Sequence, residues 1–322
     1  MLTVAENMMK TGECVTRSDL VPSTHPFSTI LAYHLFLSTS AMIYKVTGQM
    51  TPLLKKNRVQ FLCLHHVCPD EEEPFRRLLR TLSRNHHLIG YSEAVERIWS
   101  GTIDGPYLAL SFDDGLKNCL SAAQILDEFG VKACFFVCPP MIGETDQRKT
   151  QQFFHKKLGM PSAQPLTWDD TEALLKAGHD IGGHTLTHPN LAQLLATEIQ
   201  TEVGECFRLL TERLGSASHF AWPYGRFYHF NAIAARTIFE TGFKSCASVE
   251  RGCHISQAVN RADLCIRRTT VVAKWPTDHV LALLARDSQK ASAQNSQWPV
   301  GWPEIIQDKK NLAITHDSAR PI

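Results

Sequence analysis

Residues 107–116 read YLALSFDDGL, an apolar run that passes straight into two adjacent carboxylates and a glycine. A short apolar run bounded by turn residues is the pattern of a buried strand. The next stretch, Leu116–Phe129, changes period: Leu116, Leu120, Ala123 and Leu126 fall on one helical stripe, and Gly130 stops it. Strand, acidic turn and helix make one unit, and the alternation extends from residue 59 onward. The strand candidates are Val59–Leu64, Tyr107–Phe112, Val131–Val137, Asp180–Gly183, His219–Trp222, Phe243–Ser248 and Cys265–Val272. Helical patterns lie between them. Trp168–Ala177 starts behind Thr167 with Asp170 three residues on, a capping-box start, and stops at Gly178. Leu191–Leu214 carries Ile199, Val203, Cys206 and Leu210 on one stripe, and Asn231–Glu240 ends before Gly242.

Strand–helix repetition implies parallel pairing with right-handed crossovers. Seven such units either close into a barrel or lie open as a doubly wound sheet. In both, chemistry gathers where strands end at their C-terminal side. No Gly-x-Gly-x-x-Gly follows an early strand, so a dinucleotide fold has no support.

The chain has 322 residues, 43% hydrophobic and 20% charged, with a formal net charge of +1. That composition suits a large globular core. A chain so balanced, with no Lys/Arg run longer than pairs such as Lys55-Lys56, has no field to attract nucleic acid. The ten cysteines are scattered without a Cys-x-x-Cys, and several lie in apolar runs (Cys63, Cys134, Cys246). They read as reduced, buried thiols of a cytoplasmic protein, with a disulfide framework as the alternative. Phe27–Tyr44 has no Asp, Glu, Lys or Arg but holds three Ser, two Thr and His34. Three readings stay open for it: a packed accessory helix, membrane association or a signal-like element. Residues 1–57 are thus read as an N-terminal accessory segment, 58–286 as a catalytic domain and 287–322 as a polar tail. The connection 139–166, with four prolines, reads as a disordered loop or a functional lid.

Three stretches carry chemistry. Asp113 and Asp114 sit at a strand end, where the bland reading is a helix N-cap. His184 and His188, four apart after Gly182-Gly183, can reach one point on a helical turn; the bland reading is a capping or surface pair. Together, one Asp and two His form a three-ligand set that leaves positions open for water and substrate. The second Asp is then free to act as a general base, the outline of a metal hydrolase. The third stretch, Phe220-Ala221-Trp222-Pro223-Tyr224-Gly225, turns sharply at a strand end. It can aim a backbone N–H, that of Tyr224, at a developing oxyanion, and its rings can form a wall against a sugar face. Its bland reading is an ordinary Pro/Gly turn.

The Phe-Asp-Asp-Gly of 112–115, the His-Thr-x-x-His-Pro of 184–189 and the Pro-Tyr-Gly of 223–225 resemble, in order and spacing, the polysaccharide deacetylases (carbohydrate esterase family 4, the NodB homology domain). The resemblance spans residues 58–285. It implies an α/β fold, a distorted (β/α)7 barrel of the NodB type, in agreement with the strand count. It implies removal of acetyl groups from carbohydrate, with Asp113 as catalytic base, Asp114, His184 and His188 as ligands of one divalent metal, and the Tyr224 backbone in the oxyanion hole. Zinc is the expected ion; cobalt, nickel or iron suit the same donors.

The chain is similar to the branch with an upstream Tyr-His-x-Val, here Leu64-His65-His66-Val67. His65 falls at the barrel mouth, as a general acid or as a satisfied non-catalytic residue. Many members place an Arg before Pro-Tyr-Gly to order the catalytic Asp; here that region reads Phe-Ala-Trp, and Arg268 or Arg267 at the end of the last strand takes the role. The family's late Leu-x-His is echoed faintly by Leu312 to His316. The expected function is metal-dependent N-deacetylation of an amino sugar in a polysaccharide or glycan precursor, with Trp222, Pro223 and Tyr224 contacting the sugar. The alternatives are a deformylase or cyclic-amide hydrolase on the same scaffold, the former suited to a lipid-linked sugar held near a membrane by residues 27–44, and a catalytically silent carbohydrate-binding homologue.

Overall fold

The structure, a computed structural model, describes residues 27–160, 163–258, 260, 264–291, 298–302 and 306. The sequence echo at Leu312–His316 and residues 1–26 lie outside the described residues.

Strand β1 (Arg58–Leu64) pairs in parallel with β3 (Pro106–Phe112) along its whole length, from Arg58 opposite Pro106 to Leu64 opposite Phe112. The sheet continues in sequence order through β4 (Ala133–Val137), β5 (Asp180–Gly183), β6 (His219–Ala221) and β7 (Ser245–Ala247), all parallel. A two-residue strand, β2 (His87–Leu88), pairs with β3 off this path. The expected seventh strand is present but broken in two. Its first half, β8 (Cys265–Ile266), pairs with β7, and its second half, β9 (Thr269–Thr270), pairs with β1. The sheet therefore curls until one short segment bridges its two edges, and the break at Arg267-Arg268 lies on that seam. This is the expected distorted barrel of parallel strands with seven positions.

Period-2 alternation sorts the strand residues into two layers. Val59, Phe61, Ala109, Cys134, Phe136, Ala221, Ala247 and Ile266 form an inner cluster, joined by Tyr91, Ala94, Val95 and Ile98 of a helix over Tyr91–Ser100. Leu62, Leu64, Leu108, Leu110, Phe112, Phe135, Phe220 and Trp222 form the layer beneath the outer helices. The helical patterns appear at Cys119–Glu128, Trp168–Lys176, Ala196–Leu214 and Ala232–Thr241, within a few residues of expectation. Thr167 caps its helix through the expected reciprocal pair with Asp170. Gly182 is demanded by space: a Cβ there would lie 2.5 Å from the Phe136 ring and 2.8 Å from the His219 carbonyl oxygen.

The 139–166 connection is neither structureless nor a bare loop. It carries a helix, Gln147–Leu158, capped by Asp146 and anchored by buried Phe153 and Phe154. The last helix, Thr277–Gln289, runs past the expected boundary at residue 287, and Asp287 and Ser288 on it are buried. The N-terminal helix Phe27–Val46 packs on it as an accessory element. Leu37 and Ala41 are buried, Ser38 Oγ lies 2.8 Å from His279 Nε2, and Tyr44 donates to Gln289. No described helix is long and apolar enough to cross a membrane.

Three buried histidines make the fold acid-sensitive. His86 donates from Nδ1 to the Leu82 carbonyl, and its Nε2 accepts from Arg58. His254 Nε2 accepts the Arg267 N–H. His219 lies between Ser92 and Ser245. Burial pushes His86 and His254 down to about 3 and His219 to about 4, with the neighbouring arginines adding to the effect at the first two. The unfolded chain protonates these imidazoles below pH 6.5 while the folded chain does not. Their contribution is thus complete above pH 6.5, and each loses about 1.4 kcal/mol per pH unit as pH falls from there towards its folded value. Urea titrations followed by far-UV circular dichroism should show stability dropping between pH 6.5 and 4. A flat profile over that window would contradict neutral burial.

Candidate active site

The inward parity of β3 runs Tyr107, Ala109, Ser111 and reaches Asp113 one residue beyond the strand, which carries its carboxylate over the inner layer. The inward parity of the seam segment runs Ile266 to Arg268. The two meet. Arg268, fully buried, donates from its two terminal nitrogens to Asp113 Oδ1 and Oδ2 at 2.7 and 2.8 Å. The same guanidinium donates to Ser111 Oγ and the Ser248 carbonyl, and stands 5.1 Å over the Phe136 ring. Cys63, on the inward face of β1, adds its S–H to Asp113 Oδ2 at 3.3 Å. Burial alone raises the Asp113 pKa, but the Arg268 charge and hydrogen bonds outweigh it, and the carboxyl is held below its ordinary range. A fork-to-fork pair of this kind fixes orientation as well as charge. Of the two arginines expected to order Asp113, Arg268 does so; Arg267 stacks on Phe227 instead, 4.8 Å from its ring.

Asp114 faces the other way, towards the histidines. Its Oδ1 lies 3.5 Å from His184 Nε2 and 3.5 Å from His188 Nε2, and all three residues are buried. The His184 ring is oriented by the Ala221 carbonyl, 2.7 Å from Nδ1. A carbonyl only accepts, so Nδ1 carries the proton and Nε2 is available as a ligand, the arrangement typical of metal-binding histidine. His188 Nδ1 is buried with no hydrogen-bond partner among the described residues. Burial lowers the His188 pKa to about 4, so its imidazole is neutral at pH 7. Burial pulls His184 down, yet its bond to Asp114 leaves it above the ordinary value, while the same histidines hold Asp114 well below its own despite burial. Two imidazole nitrogens and a carboxylate oxygen lying within 4.8 Å of one another suit a divalent ion. Cys63, His65 and Asp113 also cluster within 4.8 Å, but Arg268 already occupies both Asp113 oxygens.

The backbone is distorted where these groups stand. Among the described residues, the non-glycine positions with left-handed φ are Asp114 (76°), Thr185 (67°), His188 (55°) and Tyr224 (62°). Such a conformation costs on the order of 1–3 kcal/mol at each position and persists only where surroundings enforce it. Glu202 enforces it at the histidine loop, accepting from Leu186 N, Thr187 N and Thr187 Oγ1. At the third stretch, Gly225 (φ 63°) fits where a Cβ would meet Val249 N at 2.7 Å, and its carbonyl accepts the Val249 N–H. That turn leaves the Tyr224 N–H without an acceptor among the described residues.

A cavity of about 400 Å³ joins these groups, lined by His65, Asp113, Asp114, His184, His188 and Tyr224, with Lys157 and Met160 from the 139–166 connection on its rim. His65 therefore faces the site, as expected from its place after β1. The expected sugar wall is corrected. Trp222 and Pro223 are buried, and Trp222 stacks on Phe230 at 4.1 Å and packs beside Trp298. Alternation shows why: Ala221 points inward, so Phe220 and Trp222 point outward beneath the helices. Of the three residues, Tyr224 alone is exposed, its ring 4.9 Å from that of His188.

Residues 100–244 match the family described as polysaccharide deacetylase. The chain is 30% identical over 128 residues to a peptidoglycan-N-acetylglucosamine deacetylase of Bacillus cereus, a match that covers 38% of each chain. Its fold is similar to that of IcaB from Ammonifex degensii (TM-score 0.58, 18% identity, 71% of this chain and 98% of that one). It is also similar to that of the Streptococcus pyogenes deacetylase PplD (TM-score 0.56, 18% identity, 70% and 97%). Asp113, Asp114, His184, His188 and Tyr224 all lie within residues 100–244, the stretch that matches the polysaccharide deacetylase family.

Proposed function

We propose that this protein is a divalent-metal-dependent hydrolase that removes the N-acetyl group from an amino sugar of a glycan, releasing acetate. The observation that carries the reading is the convergence of His184 Nε2 and His188 Nε2 on Asp114 Oδ1, beside a second carboxylate held by Arg268. Asp114, His184 and His188 would hold the ion, with zinc as the first choice. When bound, such an ion acidifies water and polarises a carbonyl.

The chain's own groups do the rest. Asp113 accepts the proton of the attacking water. Its depressed pKa makes it a weak base, but keeps it ionised throughout the neutral range, and the Arg268 fork fixes its direction. The Tyr224 N–H donates to the acetyl oxygen as that oxygen gains charge. His65, whose ring nitrogen is within 4.8 Å of an Asp113 oxygen, delivers a proton to the departing amine. The reading is tested by dialysing the protein against chelator and following acetate release from N-acetylglucosamine oligomers. Release should vanish and return on adding one equivalent of Zn²⁺. Glycan binding with no acetate release under any metal would instead establish a silent homologue.

A further inference from the structure

A second set of metal-ligating side chains stands beside the catalytic cavity. The chain leaving β1 reads His65-His66-Val67-Cys68 and turns at once into a 3₁₀ helix, Pro69–Glu71. One ligand atom each of His66, Cys68 and Glu71 lies within 4.8 Å of the other two, and all three residues are buried. Cys68 is a reduced thiol, and His66 borders the cavity, which gives an ion a way in. His66 Nε2 stands 3.6 Å from Glu71 Oε2. That is too long for a hydrogen bond, which spans about 2.7–3.2 Å. It is close to the edge of a tetrahedron built on metal–ligand bonds of about 2.0 Å, which is about 3.3 Å. The spacing repeats that of the catalytic set, where each histidine Nε2 lies 3.5 Å from Asp114 Oδ1. Glu71 is held in place by the Cys68 N–H, which donates to Oε2 at 3.1 Å.

A fourth donor is within reach. Asn118, just before the helix Cys119–Glu128, has its Nδ2 3.6 Å from Cys68 Sγ. Its Oδ1 is buried and has no hydrogen-bond partner among the described residues. A half-turn of the amide brings that oxygen to the place of the nitrogen, facing the sulfur. The neighbouring Cys119 S–H donates to the His65 carbonyl at 3.3 Å, so the start of this helix already touches the chain that carries the cluster.

We propose that His66, Cys68 and Glu71 bind a second divalent ion, zinc by the chemistry of the donors, with the Asn118 amide oxygen as its fourth ligand. Imidazole nitrogen, thiolate and carboxylate together suit a borderline-soft ion. The thiol loses its proton to solvent as the ion binds. Four protein donors leave no open position, so the ion is structural. It clips the chain leaving β1 to the helix that follows Asp113-Asp114-Gly115, and it fixes the backbone on which His65 stands. The competing account is an imidazolium–carboxylate pair beside a packed thiol, which needs no metal.

The test uses the full chain, stripped with chelator, reloaded with Zn²⁺ or Co²⁺ and freed of loose metal by gel filtration. Wild type should retain one equivalent of zinc more than Cys68→Ala. Its cobalt form should show a near-ultraviolet thiolate-to-cobalt charge-transfer band, which the sulfur-free set of Asp114, His184 and His188 cannot give. Cys68→Ala should lose the band, and so should Cys68→Ser, which keeps the size of the side chain. Cys63→Ala should keep it, which separates the site from the cluster of Cys63, His65 and Asp113. Equal zinc in wild type and Cys68→Ala, a wild-type cobalt spectrum without the band, or a band that survives both Cys68 variants overturns the site. The band reports the thiolate whether or not acetate is released, so this site and the deacetylase reading fail separately.

Discussion

Asp113→Asn should lower kcat for acetate release about 10³-fold while the protein still takes up its metal. Asparagine keeps the shape of the side chain and one oxygen that accepts from Arg268, but it leaves the buried guanidinium without its counter-charge, so stability should fall as well, by about 3–5 kcal/mol, and kcat is read on the folded protein. What disappears is the site for the water proton. The metal donors are Asp114, His184 and His188, none of which is altered, so metal content by elemental analysis should match wild type. The effect should fall on kcat more than KM, because the proton is transferred only on the way to the transition state. Activity within tenfold of wild type would show that another group takes the proton.

Arg268→Gln should damage the same site by another route. Arg268 and Asp113 are both buried, and removing the cation leaves an anion without a counter-charge. Breaking a buried pair from one side costs about 3–5 kcal/mol, so a large fall in the urea midpoint is expected at pH 7. The variant also reverses the balance at Asp113. In wild type the arginine outweighs burial and the carboxyl titrates below its ordinary value, so its stabilising contribution persists above the unfolded pKa and is lost as pH falls through the folded one. Without Arg268, burial dominates and the carboxyl titrates above its ordinary value. The acid limb of kcat/KM should therefore move to higher pH in the surviving folded fraction. An unshifted limb would separate Arg268 from the ionisation of Asp113.

Much of the site was legible because strand ends concentrate it. Asp113 and Asp114 follow the apolar strand β3, and His184 and His188 follow the short strand β5, so a parallel sheet in which β4 joins the two brings four side chains to one end of the barrel. Trp222 was misread because its motif suggested a sugar wall, although counting by twos from Ala221 would have turned it outward. The helix over Gln147–Leu158 was hidden by its Gln- and Lys-rich composition: only Phe153 and Phe154 are buried, too few to give a strong period. Arg268 was reachable through the family resemblance, since nothing in its own neighbourhood announces that the seam folds it across Asp113.

The split strand at Cys265–Thr270 has a consequence for how the protein comes into being. It is the last barrel strand to be synthesised, and it ties the newest edge of the sheet to the oldest, β1. A nascent chain can already contain Asp113, Asp114, both histidines and Tyr224, yet it has no clasp to keep its two edges together and no partner for its buried carboxylate. Closure of the sheet and pairing of the Asp113 carboxylate thus arrive in the same event, once residues 265–270 have been made.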